Sequence, residues 1–165
     1  MFPDRHLNNF FGVFGTKAGF FQKGNQISNL VGGTLWGDYY NCSIWCWGIV
    51  IWGENSEGTK IYSQDLINLP NGITLSAAKK IQVKDSLVSN NDNVGIKLAN
   101  SSWLAGKNYD NEIINNIIID NDYGVLINYA DSNNIGNSNI NYNLISGNNF
   151  GLNSSAAVNI NATFN

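Results

Sequence analysis

Short apolar-x-apolar steps alternate with asparagine-rich turns along most of this chain. The clearest steps run Ile49 to Ile51, Ile73 to Leu75, Ile96 to Leu98 and Val125 to Ile127, with a weaker one at Leu152. Side chains of a strand alternate faces, so Ile73 and Leu75 share one face, as do Ile96 and Leu98, and Val125 and Ile127. A glycine precedes each step, at Gly48, Gly72, Gly95, Gly124 and Gly151, spaced 24, 23, 29 and 27 residues apart. Strand-like repeats of that length, without helical periodicity, predict a solenoid. A second step lies upstream in each unit: Asp65, Leu66, Ile67; Asp85, Ser86, Leu87; Asn116, Ile117, Ile118; and Asn143, Leu144, Ile145. Each unit is therefore expected to hold two short strands joined by a tight turn, with the glycine opening the second. One unit cannot bury its apolar face alone, whereas stacked units can.

The turns carry matching chemistry. Asparagine tolerates left-handed backbone angles and bonds its own chain locally. At equivalent turns of a stacked coil, asparagines lie about 4.8 Å apart and can bond side chain to side chain. Asn68, Asn90, Asn121 and Asn148 are the expected ladder. Asparagine is also abundant, at 30 of 165 residues, which alone would put it in many turns.

The stretch IINNIIIDNDYGVLI, from Ile113 to Ile127, resembles a standard coil of the right-handed parallel β-helix repeat proteins, related to pectate lyases and to adhesin-like surface proteins. The tail VNINATFN, from Val158 to Asn165, is similar to the lead-in to an element that follows such coils in surface proteins. The resemblance covers roughly residues 25 to 165. It implies an all-β, single-stranded, right-handed parallel β-helix, here of about five to six coils. For activity it implies little, because this fold hosts lyases, hydrolases, epimerases, adhesins and viral spikes.

Composition suits a surface-facing solenoid. Charged residues make up 13% and the net charge is -3, so no basic field is present to attract nucleic acid. The opening residues show no basic segment leading into an apolar run, so they are not expected to act as a secretory signal peptide. The apolar region from Trp45 to Trp52 is too short to span a bilayer. The expectation is a piece of a longer secreted or cell-surface precursor, truncated at its C-terminal end, where an uncovered core and an unpaired edge invite a further coil or a partner chain. Four sequons, at Asn41, Asn100, Asn153 and Asn161, are few enough to arise by chance in so asparagine-rich a chain. Cys42 and Cys46 would stand about 13 Å apart in one extended strand, beyond disulfide reach, and read as buried free thiols.

Function is expected where the repeat breaks. Residues 1–24, with Phe10, Phe11, Phe14, Phe20 and Phe21 among glycines, read as an aromatic cap or incomplete first coil ahead of the helix at 25–165. Trp36, Tyr39, Tyr40, Trp45, Trp47 and Trp52 fall within seventeen residues. Displayed outward, such rings stack on the C–H faces of sugars; turned inward, they cover the join between cap and first coil. Residues 99 to 112 look like a loop leaving the coil, where Trp103, Lys107, Tyr109 and Asp110 could form a polar-aromatic site or cover Ile117 and Leu144.

Catalytic groups are sparse. A hydrolase needs two positioned carboxylates, and a lyase needs a base with a cation to hold the acid group. Arg5 and His6 are the sole arginine and histidine and precede the repeats. Asp65 and Asp85 are expected to stack at equivalent positions, with asparagine replacing them at 116 and 143, as at a structural turn. No cofactor is expected, although Asp120, Asp122 and nearby turn carbonyls offer oxygen ligands for calcium. The reading is a non-catalytic, adhesin-like β-helix module binding a polysaccharide, a cell-surface glycan or a neighbouring chain through its aromatic patch. A fragment of a polysaccharide lyase, hydrolase or epimerase, and a viral or phage spike module, are the alternatives.

Overall fold

The computed structural model describes residues 11–15, 21–23, 26–28, 34–35, 38–39, 47–52, 58–99, 108–128, 138–154, 160–162 and 165; before residue 48, and at 52, 160 and 161, only the backbone is described. All described elements are strands. The first six are β1 (Phe11–Gly15), β2 (Phe21–Lys23), β3 (Gln26–Ser28), an antiparallel pair β4 (Thr34–Leu35) and β5 (Asp38–Tyr39), and β6 (Trp47–Trp52). Regular coils follow: β7 (Lys60–Tyr62), β8 (Asp65–Ile67), β9 (Asn71–Ser76); β10 (Gln82–Lys84), β11 (Leu87–Ser89), β12 (Val94–Ala99); β13 (Glu112–Ile114), β14 (Ile117–Ile119), β15 (Tyr123–Asn128). Then come β16 (Ser138–Asn141), β17 (Leu144–Ser146), β18 (Phe150–Ser154) and β19 (Ile160–Asn161).

These strands stack into three parallel sheets, ordered β1-β6-β9-β12-β15-β18, β19-β16-β13-β10-β7-β2 and β17-β14-β11-β8-β3. The chain winds as a parallel β-helix, as the repeat predicts. Among the described residues three coils, β7 to β15, are enclosed by neighbours on both sides, against an expected total of about five to six. Each coil also holds three strands, not two. The strand missed in the sequence is the first of each coil, whose central residue alone is apolar and buried, as at Ile61 and Val83.

Register turns the sequence pattern into continuous columns. Ile61, Val83, Ile113 and Ile140 lie one above another in the first sheet, and Leu66, Val88, Ile118 and Ile145 in the second. In the long-strand sheet, Ile49, Ile73, Ile96 and Val125 form one column, and Ile51, Leu75, Leu98 and Ile127 the next. All but Ile145 are buried, each stabilising the fold by about 1.5–3 kcal/mol relative to an exposed side chain. The shared faces expected for Ile73 with Leu75, and for their counterparts, are the inward ones.

The repeated glycine is the second residue of each long strand. A Cβ on Gly95 would stand 2.7 Å from the carbonyl oxygen of Gly124 and 3.1 Å from Ile118 Cγ2. The coils approach too closely there for any side chain. At Gly151, on the last long strand, a Cβ would meet only Ile145 Cγ2, at 3.5 Å.

Corners are built on a two-residue device. One residue takes a left-handed backbone, as Ser63, Asp85, Asn115 and Tyr142 do at the first corner with φ of 53°, 54°, 57° and 57°. The next turns its side chain inward, giving the column Gln64, Ser86, Asn116, Asn143 and Asn165. Its backbone N–H has no strand partner, and the side-chain oxygen one coil on accepts it: Ser86 N–H donates to Asn116 Oδ1 (3.0 Å), and Asn116 N–H to Asn143 Oδ1 (2.9 Å). Asn143 N–H donates likewise to Asn165 Oδ1 at 3.1 Å. Buried donors must be satisfied, and this column satisfies them.

The register corrects two expectations. Asp65 pairs with Leu87, while Asp85 sits in the preceding corner, so the two carboxylates do not stack. The expected ladder of Asn68, Asn90, Asn121 and Asn148 splits between adjacent columns. Asn68 and Asn90 take the left-handed position, with φ of 57° and 54°, and bond each other through their side chains. Asn121 and Asn148 follow the left-handed Asp120 and Gly147 and join Asn91 in the inward column.

Candidate polar groove at the second corner

The second corner, between the second and third strands of each coil, widens into an open groove of about 360 Å³. It is lined by Asn90, Asn91, Asp92, Asp120, Asn121, Asp122, Gly147 and Asn149. Three left-handed residues, Asn90, Asp120 and Gly147, stack there with φ of 54°, 57° and 69°. Gly147 is glycine for a second reason, since a Cβ there would collide with the Asp120 carboxylate.

The groove floor is hydrogen-bonded from coil to coil. Asn91 N–H donates to Asn121 Oδ1 (3.1 Å), and Asn121 N–H to Asn148 Oδ1 (2.8 Å). The carboxamide nitrogens of Asn91, Asn121 and Asn148 donate to the carbonyls of Leu66, Val88 and Ile118 at 3.3, 3.2 and 2.9 Å. On the rim, Asn149 Nδ2 donates to Asp122 Oδ1 at 2.9 Å. One residue further along the chain, Tyr123 and Phe150 stack with centroids 4.8 Å apart and planes 13° from parallel. Phe150 is 48% exposed. Carboxylates and carboxamides therefore adjoin an exposed aromatic face, a combination able to bond hydroxyls and pack against C–H groups.

Of the aromatic residues expected to bind ligand, Trp36, Tyr40, Trp45 and Trp103 lie outside the described residues. Tyr39, Trp47 and Trp52 belong to strands β5 and β6 by their backbone alone. Tyr109 belongs to a regular corner, not to a protruding loop. It bridges Lys79 in parallel register, and the Lys79 ammonium stands 5.9 Å from its ring centre. Around it, Asn108 Oδ1 accepts from Ala78 N–H and Asn111 Oδ1 from Ile81 N–H, both at 3.0 Å. Residues 108 to 111 are thus a third asparagine-laddered corner, while residues 100–107 of the expected 99–112 loop lie outside the described residues. Ile117 and Leu144 are not covered among the described residues, being 44% and 56% exposed.

Asn91, Asp92 and Asn149 were not singled out by the sequence, and Asn90 only as a ladder residue, although the signal for the groove was present. The triplets Asn91-Asp92-Asn93 and Asp120-Asn121-Asp122 fall just before the repeat glycines, and Tyr123 and Phe150 immediately precede two of them. Asp120 and Asp122, considered for calcium, do line the groove. No group of three or more histidine, cysteine or acidic residues among the described residues is placed to hold a metal ion. No described helix is long and apolar enough to cross a membrane.

Three parallel sheets wound by one chain, with asparagine-laddered corners and an oxygen-lined groove, define a β-solenoid of the parallel β-helix class. The family follows from comparison with known proteins. The chain belongs to the NosD family, described as periplasmic copper-binding protein, whose model matches residues 17–165. No curated protein and no solved structure matches the chain. Copper prefers imidazole, thiolate and thioether ligands. Every histidine, cysteine and methionine of the chain, namely Met1, His6, Cys42 and Cys46, lies outside the described residues. The described residues offer no imidazole, thiolate or thioether, so they lack the ligands that copper prefers.

Proposed function

We propose that this chain is a non-catalytic β-helix module of a surface or secreted adhesin-like protein working outside the cytoplasm, and that it binds a glycan. The observation that carries this reading is the groove of about 360 Å³, lined by carboxylates, carboxamides and backbone, beside the stacked Tyr123 and Phe150. Its polar groups sit on corners whose buried hydrogen bonds hold them in place, so little side-chain entropy is lost on binding. The family's periplasmic description agrees with such a location. The aromatic segment from Trp36 to Trp52, together with Trp103 and Tyr109, is proposed as a second contact surface for glycan or for a neighbouring chain.

A glycan array probed with the intact protein tests this reading. The expected result is binding to a defined subset of glycans, lost in Asp122→Ala and Phe150→Ser. Loss in Trp45→Ala and Trp47→Ala instead would move the site to the aromatic segment. Absence of binding to any glycan, or turnover of a polysaccharide, would refute the module as described.

A further inference from the structure

The outer face of the long-strand sheet carries a second, unrelated feature. In register across this sheet, Val50, Thr74, Lys97, Leu126 and Asn153 occupy one outward row. Lys97 is the only charged residue of that row, on a protein whose net charge is -3. Its side chain is partly buried. Burial pushes its ammonium below the ordinary lysine value, and no acid among the described residues offsets the cost. Other lysines are treated differently: Lys84 pairs with Glu112 at 2.9 Å, and Lys79 lies over Tyr109.

Beside Lys97 in register stands Thr74, 6% exposed, whose Oγ1 is buried with no hydrogen-bond partner. A buried hydroxyl without a partner is costly, and so is a partly buried ammonium without a counter-ion. Parallel strands set their Cα atoms about 4.8 Å apart, so one small group between the two side chains could meet both. That group must accept hydrogen bonds and bear negative charge.

We propose that Lys97 and Thr74 form a two-point binding site for an oxyanion, carried by an acidic ligand that lies along the outer face of the long-strand sheet. The ammonium supplies charge and a donor, and the threonine O–H supplies a second donor. No groove residue takes part, so this site stands or falls independently of glycan binding at the corner.

Site-resolved amine acylation of the intact protein, read by peptide mapping, tests the proposal. Inorganic phosphate and acetate are titrated in turn, against chloride at matched ionic strength. Phosphate or acetate is expected to slow acylation of Lys97 saturably while leaving exposed Lys60 unchanged. A stronger effect of phosphate assigns a phosphate- or sulfate-bearing ligand, and a stronger effect of acetate a carboxylate. Thr74→Val should weaken the apparent affinity about fivefold, the cost of one lost hydrogen bond, and Thr74→Ser should restore it. Equal protection of Lys60, an equal effect of chloride, or an unchanged affinity in Thr74→Val would overturn the two-point site.

Discussion

Removing the Asn116 side chain should open a fault at one corner of the stack. Asn116 is 1% exposed, and its carboxamide makes three hydrogen bonds. Oδ1 accepts from Ser86 N–H at 3.0 Å, and Nδ2 donates to the Val83 carbonyl and to Asn143 Oδ1, both at 3.0 Å. In Asn116→Ala the buried Ser86 N–H loses its acceptor, at a cost of about 1–3 kcal/mol. The two lost donations add about 1 kcal/mol each, so the expected destabilisation is about 3–5 kcal/mol. Against a typical stability of about 5–15 kcal/mol, that is a large fraction. Urea unfolding should show a lowered midpoint, and hydrogen exchange at the Ser86 amide should accelerate most. Asn149→Ala, which removes an exposed rim side chain, is the control and should cost about 0.5 kcal/mol or less. A loss below about 1 kcal/mol in Asn116→Ala, with Ser86 exchange unchanged, would refute the claim that the inward asparagine holds the corner.

Three further outcomes are expected. Gly95→Ala should destabilise by about 2–4 kcal/mol, because the added Cβ meets the Gly124 carbonyl and the backbone must yield, whereas Gly151→Ala should be nearly neutral; thermal melts of the pair check this. Lys97→Met should raise stability at neutral pH, since the depressed lysine is penalised when charged. The wild-type protein regains that stability as pH rises through the folded value, so the two midpoints should converge near pH 10.5, measured by denaturation across pH. Replacing Asp92, Asp120 and Asp122 by Asn should leave copper uptake by the intact protein unchanged, because copper prefers imidazole, thiolate and thioether ligands to isolated carboxylates; a fall on titration would make the groove the copper site.

The pairing of Asp65 with Leu87 shows how far the sequence reading reaches. Its apolar alternation named the inward columns of the long strands without error, since strand period and burial are local properties of the chain. It placed the upstream step on its strand at Asp65 to Ile67 but one to two residues early in the three later coils, because each short strand buries a single side chain. One apolar residue flanked by polar ones, as at Ile61, sets no period to follow. The same slip divided the expected asparagine ladder, for Asn90 and Asn91 are neighbours in sequence yet serve different columns.

By itself, then, the sequence determined the repeat, the solenoid, the inward face of each long strand and the presence of turn-forming asparagines. Each follows from the conformational preferences of a few consecutive residues. Only the tertiary structure decided which residues share a column, why Gly95 must lack a side chain, and that Asp92, Asp120 and Asp122 meet in one groove. It alone set Lys97 beside Thr74. Those facts depend on register between coils more than twenty residues apart, and unequal coil lengths shift that register by amounts no local pattern records.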